Sequence, residues 1–446
     1  INWVVNHIQT PRLLPRLELK DGIPEDFSTM VIIPTLLTNP HRVIELAEQM
    51  EVFYLANQEK NLYFALVGDF KDCKKGQCMP GDEKIVEAGI KAINELNARY
   101  GQDIFYFFHR DRQWNEAQSS WMGWERKRGA LVEFNKLVKG DENTSYTTKI
   151  GNMEKLSSIK YIITLDADTQ LPRDTAKKLI GAMAHPLNRP ILNKNSTRVV
   201  DGYGLMQPRI GVAVDSASRS FFSLTFSGQT GIDPYTTAVS DVYQDFFGEG
   251  IFTGKGIYDV ETFNIVLGDA IPQNTVLSHD LLEGSYIRAG LISDIELIDG
   301  YPSHYIAYSM RQHRWVRGDW QLIPWLGRRI KNARGEVLEN PINAISKWKI
   351  FDNLRRSLLY PSLFILLWLA FLYLPGGLGL WIGLAVITLA FPLVLDAIGK
   401  VAALSKKQYI QSGKDVIWQV LLSFIFLAYQ TYLMCDAIFR TIGRVF

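Results

Sequence analysis

The chain has 446 residues, enough for two or three units at roughly 100–200 residues per domain. Hydrophobic residues make up 47% and charged residues 21%, which excludes a disordered chain. Lys+Arg 48 against Asp+Glu 46 leaves a formal net charge of +2, which excludes nucleic-acid binding driven by bulk positive charge, and no nucleic-acid partner is expected.

Met30-Val-Ile-Ile-Pro34 is a continuous apolar run suited to a strand buried on both faces. A helix is expected around Pro40–Leu55, then a second strand, Leu62–Val67, ending in Gly68-Asp69. A long helix at about Glu83–Tyr100 and a third strand at Ile104–Phe108 follow. After a Trp- and Arg-rich stretch, a helix passes through Ala130 to Lys139, and a fourth strand, Tyr161–Leu165, ends in Asp166-Ala167-Asp168. Strands alternating with helices predict an open, mostly parallel α/β sheet, in which ligands bind at the carboxyl ends of strands. Asp69, Asp166 and Asp168 all fall at that rim. Cys73, Cys78 and Cys435 lack the companions of a zinc set and read as free thiols in a reducing compartment.

Several stretches carry chemistry, each beside a plainer reading. In an extended segment Asp166 and Asp168 would face one side, and two carboxylates there suit a divalent cation carrying phosphate oxygens; a helix cap is the plainer reading. Asp69 could accept from a nucleobase edge or simply form a turn after Gly68. Arg126-Lys127-Arg128-Gly129-Ala130 sets three cations at a helix start, either a phosphate site or a solvated basic face. Gly248–Gly256 has four glycines in nine residues; the loop either lets a substrate approach the backbone or is merely irregular. Ser278-His279-Asp280-Leu-Leu-Glu283 offers a carboxylate general base, or an N-cap. Arg311–Gln321 is dense in cations and indoles, suited to a pyrophosphate beside a sugar face, to an interfacial helix, or to both.

The C-terminal part differs in kind. Mean hydropathy for the chain is −0.01, an average over two populations. Residues 351–446 carry 8 Lys+Arg and 4 Asp+Glu, a net of +4, which leaves 1–350 with a net of −2. From Ser357 to Leu395 there is no Asp, Glu, Lys, Arg or His. The run breaks at Pro375-Gly376-Gly377 and reads as a helical hairpin of two membrane spans, 358–374 and 378–395, with Trp368, Tyr373 and Trp381 near the ends. An uncharged run, 416–435, is a third candidate span. Arg355 and Arg356 before the hairpin, and Lys400, Lys406, Lys407 and Lys414 after it, predict that the soluble part faces the cytoplasm. The chain opens on Ile rather than Met and is expected to be a piece of something longer.

The order of these motifs, with a membrane hairpin after them, resembles the membrane-embedded glycosyltransferases of the family 2 type, such as cellulose and hyaluronan synthases. Asp241–Asp259 and Arg311–Gln321 look closer still to the glucosyltransferase domain of cyclic β-1,2-glucan synthases, glycosyltransferase family 84. The resemblance implies a lead-in segment at 1–27 and a GT-A type nucleotide-sugar-binding domain at 28–302. Interfacial helices at 303–356 would carry Arg311-Gln-His-Arg-Trp315, and a transmembrane region would fill 357–446. It implies a multi-pass protein of the bacterial inner membrane, with cyclisation and phosphorylase-like domains elsewhere in the longer chain.

Carried over residue by residue, Asp69 would contact uracil of UDP-glucose and Lys127 would sit near the nucleotide phosphates. Asp166 and Asp168 would hold Mg²⁺ or Mn²⁺, with Asp166 also on the ribose or diphosphate. Asp280 matches the catalytic Asp of the synthases' Thr-Glu-Asp motif. Gln312, Arg314 and Trp315 match Q-x-x-R-W in part, with Arg311 standing where its leading Gln would be. The implied reaction is inverting and processive transfer of glucose from UDP-glucose to the 2-hydroxyl of a growing β-1,2-glucan. Asp280 is the base, the cation and Arg314 neutralise UDP, and Phe252, Gly254 and Trp315 lie on the acceptor side. A family 2-type synthase with another product, such as a periplasmic glucan backbone, and a nucleotide-sugar-binding membrane scaffold without turnover are the alternatives.

Overall fold

The computed structural model describes residues 12–227, 242–402 and 417–445. Part of the lead-in segment, Asp241, the start of the third expected span and Lys406, Lys407 and Lys414 lie outside the described residues.

One eight-stranded sheet organises the N-terminal 300 residues or so. Its strands are β1 (Thr29–Leu37), β2 (Leu62–Phe70), β3 (Phe105–Arg110), β4 (Tyr146–Ile150), β5 (Tyr161–Thr164), β6 (Leu205–Val212), β7 (Gly256–Asp259) and β8 (Ala289–Asp299), in the spatial order β8-β6-β7-β5-β1-β2-β3-β4. β5, β1, β2 and β3 are parallel, as are β6 and β8. β7 runs antiparallel between β5 and β6, and β4 runs antiparallel on the edge beside β3. The expected mostly parallel α/β sheet is present, with two reversed strands that the apolar pattern did not mark.

Alternation along the strands divides the core into two layers. Met30 and Ile32, Ala65 and Val67, Tyr106 and Phe108 enter one layer. Val31 and Ile33, Phe64 and Leu66, Phe105 and Phe107 enter the other. α1 (Pro40–Ala56), α2 (Asp82–Tyr100) and α4 (Thr175–Ala184) cover the second layer through Val43, Met50, Phe53, Ile93 and Leu179. α3 (Arg126–Val138), α5 (Val260–Leu267) and α6 (Asp280–Tyr286) cover the first through Leu131, Phe134, Phe263, Leu281 and Leu282. Full burial of each large apolar side chain contributes about 1.5–3 kcal/mol, so both faces are needed to hold the sheet. Pro34 sits within β1 but past Ile32↔Thr164, the last β1–β5 pair, where a missing N–H interrupts no β5 ladder.

The longer helices after β8 are α7 (Tyr305–Gln321), α8 (Ala344–Ser357), α9 (Leu359–Leu372), α10 (Leu378–Ala402) and α11 (Leu427–Val445). α7 packs Val316 against Leu433, Met434, Ala437 and Ile438 of α11. Gly376 and Gly377 turn the chain between α9 and α10 with positive φ of 96° and 78°, as the Pro-Gly-Gly break predicted. The expected spans differ from the helices found. No single helix among the described residues is long and apolar enough to cross a membrane. α9 has 14 residues, about 21 Å at 1.5 Å per residue, against a hydrocarbon core of about 30 Å. Two bent pairs reach the length and apolarity together: α8 with α9, bent by 41°, and Ile417–Ile425 with α11, bent by 62°. The second bend falls at Phe426, whose ring stacks on Tyr305 of α7 at 3.9 Å between centroids. Cys73, Cys78 and Cys435 are free thiols.

Candidate active site

The site is built where β5, the glycine-rich loop and the starts of α3 and α6 converge. α3 begins earlier than its apolar pattern suggests, through a tight turn. Glu125 and Arg126 have positive φ of 50° and 52°, and a Cβ on Gly129 would come within 1.8 Å of Trp124 O. This entry separates the three cations. Arg126 Nη2 donates to Asp72 Oδ2 at 2.7 Å, and Arg128 is buried with Nη2 donating to Glu125 Oε2 at 2.5 Å. Lys127 alone of the three turns to the rim, where Nζ donates to Asp166 Oδ1 at 2.5 Å and to Gly254 O at 3.0 Å.

Asp166 is the hub. Lys255 Nζ lies 3.2 Å from Asp166 Oδ2 and in closer contact with Asp299 Oδ2. Thr169 Oγ1 donates to Asp299 Oδ1 at 2.6 Å. Burial would raise the proton affinity of Asp166, but Lys127 and then Lys255 hold its carboxyl well below the usual carboxylate range.

The D-x-D is a turn rather than extended chain. Thr169 N–H donates to Asp166 O at 3.0 Å, so strand alternation does not set the two carboxylates on one side. Asp168 is exposed and has no hydrogen bond or ion pair among the described residues. It faces Gly300, where a Cβ would come within 3.6 Å of Asp168 Oδ2. Its open carboxylate and the remaining lone pairs of Asp166 are hard oxygen donors, the chemistry that Mg²⁺ or Mn²⁺ takes.

Across the rim stands Asp280, the first residue of α6. It forms no side-chain cap, and the N-cap position belongs to His279. Gly254 has φ +89°, and a Cβ there would come within 2.7 Å of Asp280 Oδ1, so a side chain at this point would push the carboxylate away. Gln207 Oε1 accepts from Thr253 N–H at 2.9 Å and from Thr253 Oγ1 at 3.0 Å, which pins the loop. Burial raises the proton affinity of Asp280; His279 and Lys127 oppose that rise, and Glu283 and Asp166 add to it. The ligand atoms of His279, Asp280 and Glu283 lie within 4.8 Å of one another. Burial lowers the proton affinity of the imidazole, but Glu283 and then Asp280 outweigh it and raise it above its usual value. The three form one acid–imidazole–acid cluster, with His279 Nδ1 2.8 Å from Glu283 Oε1 and 3.6 Å from Asp280 Oδ1.

α7 closes the far side. A Cβ on Gly318 would come within 2.5 Å of Ser278 Cβ, so the helix backbone lies directly on the entry to α6. Trp315 sits one turn earlier on that face. The Arg311 guanidinium covers its ring at 4.5 Å from the centroid, so the residue in the leading-Gln position packs on the motif's indole. Gln312 is buried with Nε2 lacking a partner, while Arg314 is exposed.

Two expected contacts are engaged elsewhere. Asp69 is 5% exposed, and Arg110 donates to both its oxygens, Nε to Oδ1 at 2.7 Å and Nη2 to Oδ2 at 2.6 Å. Arg110 also pairs with Glu133 Oε2 at 2.9 Å. Phe252 is 4% exposed and packs in the core against Gly284. Lys255 and Asp299 carry much of the rim's charge without having been marked. Lys255 was visible only as a cation in a glycine loop, and Asp299 ends an edge strand with no motif around it.

No protein-family model matches the chain. The curated cyclic β-(1,2)-glucan synthase NdvB of Rhizobium meliloti (strain 1021) is 40% identical over 458 residues, which take in 100% of this chain and 16% of that protein. The chain thus spans about a sixth of that relative's length. Among solved structures, the mannosyltransferase PcManGT from Pyrobaculum calidifontis, in complex with GDP-Man and Mn2+, aligns with a TM-score of 0.40 and 14% identity over 92% of this chain and 90% of that one. The chain is similar from end to end to one segment of a cyclic β-(1,2)-glucan synthase, the resemblance its motifs predicted.

Proposed function

We propose that this chain is the glucosyltransferase unit of a cyclic β-1,2-glucan synthase. It moves glucose from UDP-glucose to the 2-hydroxyl of a growing β-1,2-glucan, processively and with inversion. The observation that carries this reading is the 40% identity to NdvB along the whole chain.

In this mechanism Asp280 takes the proton of the acceptor hydroxyl as the acceptor oxygen attacks the anomeric carbon. The bond from that carbon to the UDP oxygen breaks on the opposite face, and UDP departs with its bonding electrons. Asp280 suits this role because it stands at the rim beside Gly254 and is not consumed as a helix cap. Lys127, held between Asp166 Oδ1 and Gly254 O, is the cation of α3 available to the phosphates. Asp166 and Asp168 would hold Mg²⁺ or Mn²⁺, which when bound offsets charge on the leaving diphosphate. Trp315 frames the acceptor once Arg311 yields its face. The buried ion pair leaves Asp69 a supporting part at the nucleobase end. In the cell the catalytic part would face the cytoplasm at the inner membrane, with cyclisation and phosphorylase-like domains on the same longer chain.

The test is incubation in detergent with UDP-glucose, Mg²⁺ and a β-1,2-linked acceptor, followed by linkage analysis. β-1,2-Linked product with release of UDP is expected. Product of another linkage would assign the chain to a different synthase, and no release of UDP would leave a binding scaffold.

A further inference from the structure

α6 carries a buried imidazole and a second acid directly beside Asp280. His279 is 6% exposed and Glu283 2%. His279 Nδ1 lies 2.8 Å from Glu283 Oε1 and 3.6 Å from Asp280 Oδ1. The i,i+4 spacing sets Glu283 one turn along the same helix face. Neither Nδ1 nor Oε1 completes an aligned hydrogen bond, although both atoms are buried. A buried carboxylate without a neighbouring cation is strongly unfavourable, so the imidazole has a charge to balance here. Ser278, the residue before it, is fixed by the backbone of Gly318. The charged groups that bear on the pair are Asp280 and Glu283 from α6, Lys127 from α3 and Asp166 from the turn after β5.

We propose that His279 and Glu283 are positioning residues for Asp280: Glu283 anchors the imidazole, and the imidazole holds the Asp280 carboxylate toward Gly254 and Lys127. The inference rests on the reading of Asp280 as the general base. Its physical content is a buried acid–imidazole–acid relay in which only the outer acid meets substrate. A His–Glu pair that merely packs the helix would stabilise the fold without steering the base.

The experiment compares the full chain with His279→Gln, Glu283→Gln and Asp280→Asn, following UDP release from UDP-glucose across pH, with thermal melts alongside. His279→Gln keeps an amide for Glu283 and removes the ionisable imidazole. Its kcat is expected to fall about tenfold or more with KM for UDP-glucose little changed, the pattern of a group acting on the chemical step. The acid limb of kcat is expected to move to higher pH, because Asp280 loses a neighbouring cation while burial still favours its protonated form. Glu283→Gln is expected to lower kcat with the same unchanged KM. Wild-type kcat and acid limb in both glutamine variants would overturn the inference. So would a loss equal at every pH that follows the melting temperature. If Asp280→Asn itself keeps full turnover, the base reading fails; if Asp280→Asn is inactive and the glutamine variants are not, only the positioning role falls.

Discussion

Two carboxylates about the same lysine are driven in opposite directions. Asp166 is held low by Lys127 and Lys255, so it stays anionic through the working pH range. Asp280, half-buried beside the buried Glu283, is pushed up instead, chiefly by its partial burial. A general base works deprotonated, and a raised carboxyl takes its proton earlier on acidification. Turnover should therefore begin to fall at a higher pH than an ordinary carboxylate near 3.9 would allow, and that limb belongs to Asp280. Asp280→Asn is expected to lose roughly 10²–10⁴-fold in kcat and to abolish the limb, measured by UDP release across pH. Retained turnover would remove Asp280 from the mechanism.

A second residue-scale prediction concerns Arg110. Asp69 and Glu133 outweigh burial and hold its guanidinium charged. Arg110→Met would strand both carboxylates in the interior, with an expected loss of about 3–5 kcal/mol in chemical denaturation. A loss under 1 kcal/mol would mean that water reaches the pair. At this scale the sequence was legible where an element's end fixes backbone position: the strand ends at Asp69 and Asp166 and the helix start at Asp280. It was not legible where long side chains choose partners. Nothing local says that Arg110 claims Asp69, or that the positive φ of Glu125 and Arg126 sends Lys127 to a different side from Arg126 and Arg128.

At the scale of elements, the glycine-rich loop is fastened to α8. Lys349 Nζ donates to Glu249 Oε1 at 3.1 Å and to Gly250 O at 2.8 Å, and Asn343 Nδ2 donates to Glu249 Oε2 at 3.0 Å. α8 runs into the apolar α9 after a 41° bend, so the loop that carries Gly254 and Lys255 is fixed to the start of the apolar region. Lys349→Met would leave Glu249 buried without its cation, at a cost on the order of 3 kcal/mol. UDP release should fall together with the melting temperature, and unchanged values of both would show that the loop holds without α8. β1, β2, β3 and β5 were readable because continuous apolar runs are local signals, whereas the parallel pair β6 and β8 was not marked. β4 and β7 were missed because short reversed strands look like loops until neighbours pair with them. The D-x-D turn was misjudged as extended chain because one hydrogen bond, Thr169 N–H to Asp166 O, decides it.

At the scale of the molecule, the apolar region shapes the site as well as carrying exposed apolar surface. Ile365, Trp368 and Phe371 of α9 and Leu380, Leu384 and Ile387 of α10 are exposed, as expected of surfaces that meet lipid tails. α11 turns its other face inward, packing Leu433, Met434, Ala437 and Ile438 on Val316, with His313 Nε2 2.9 Å from Asp436 Oδ2. α7 is thus held between α11 on one side and Ser278, through Gly318, on the other. A chain ending at Ser357 keeps every charged residue of the rim, including Lys127, Asp166, Lys255 and Asp280. It removes the partners of Val316, each large apolar side chain being worth about 1.5–3 kcal/mol when buried. α7 should then loosen from the entry to α6, and turnover in detergent should fall well below that of the full chain. KM for UDP-glucose should rise less than kcat falls, because Lys127 and Asp166 do not depend on α7. Full turnover from the shortened chain would show that α11 and the apolar helices serve attachment alone.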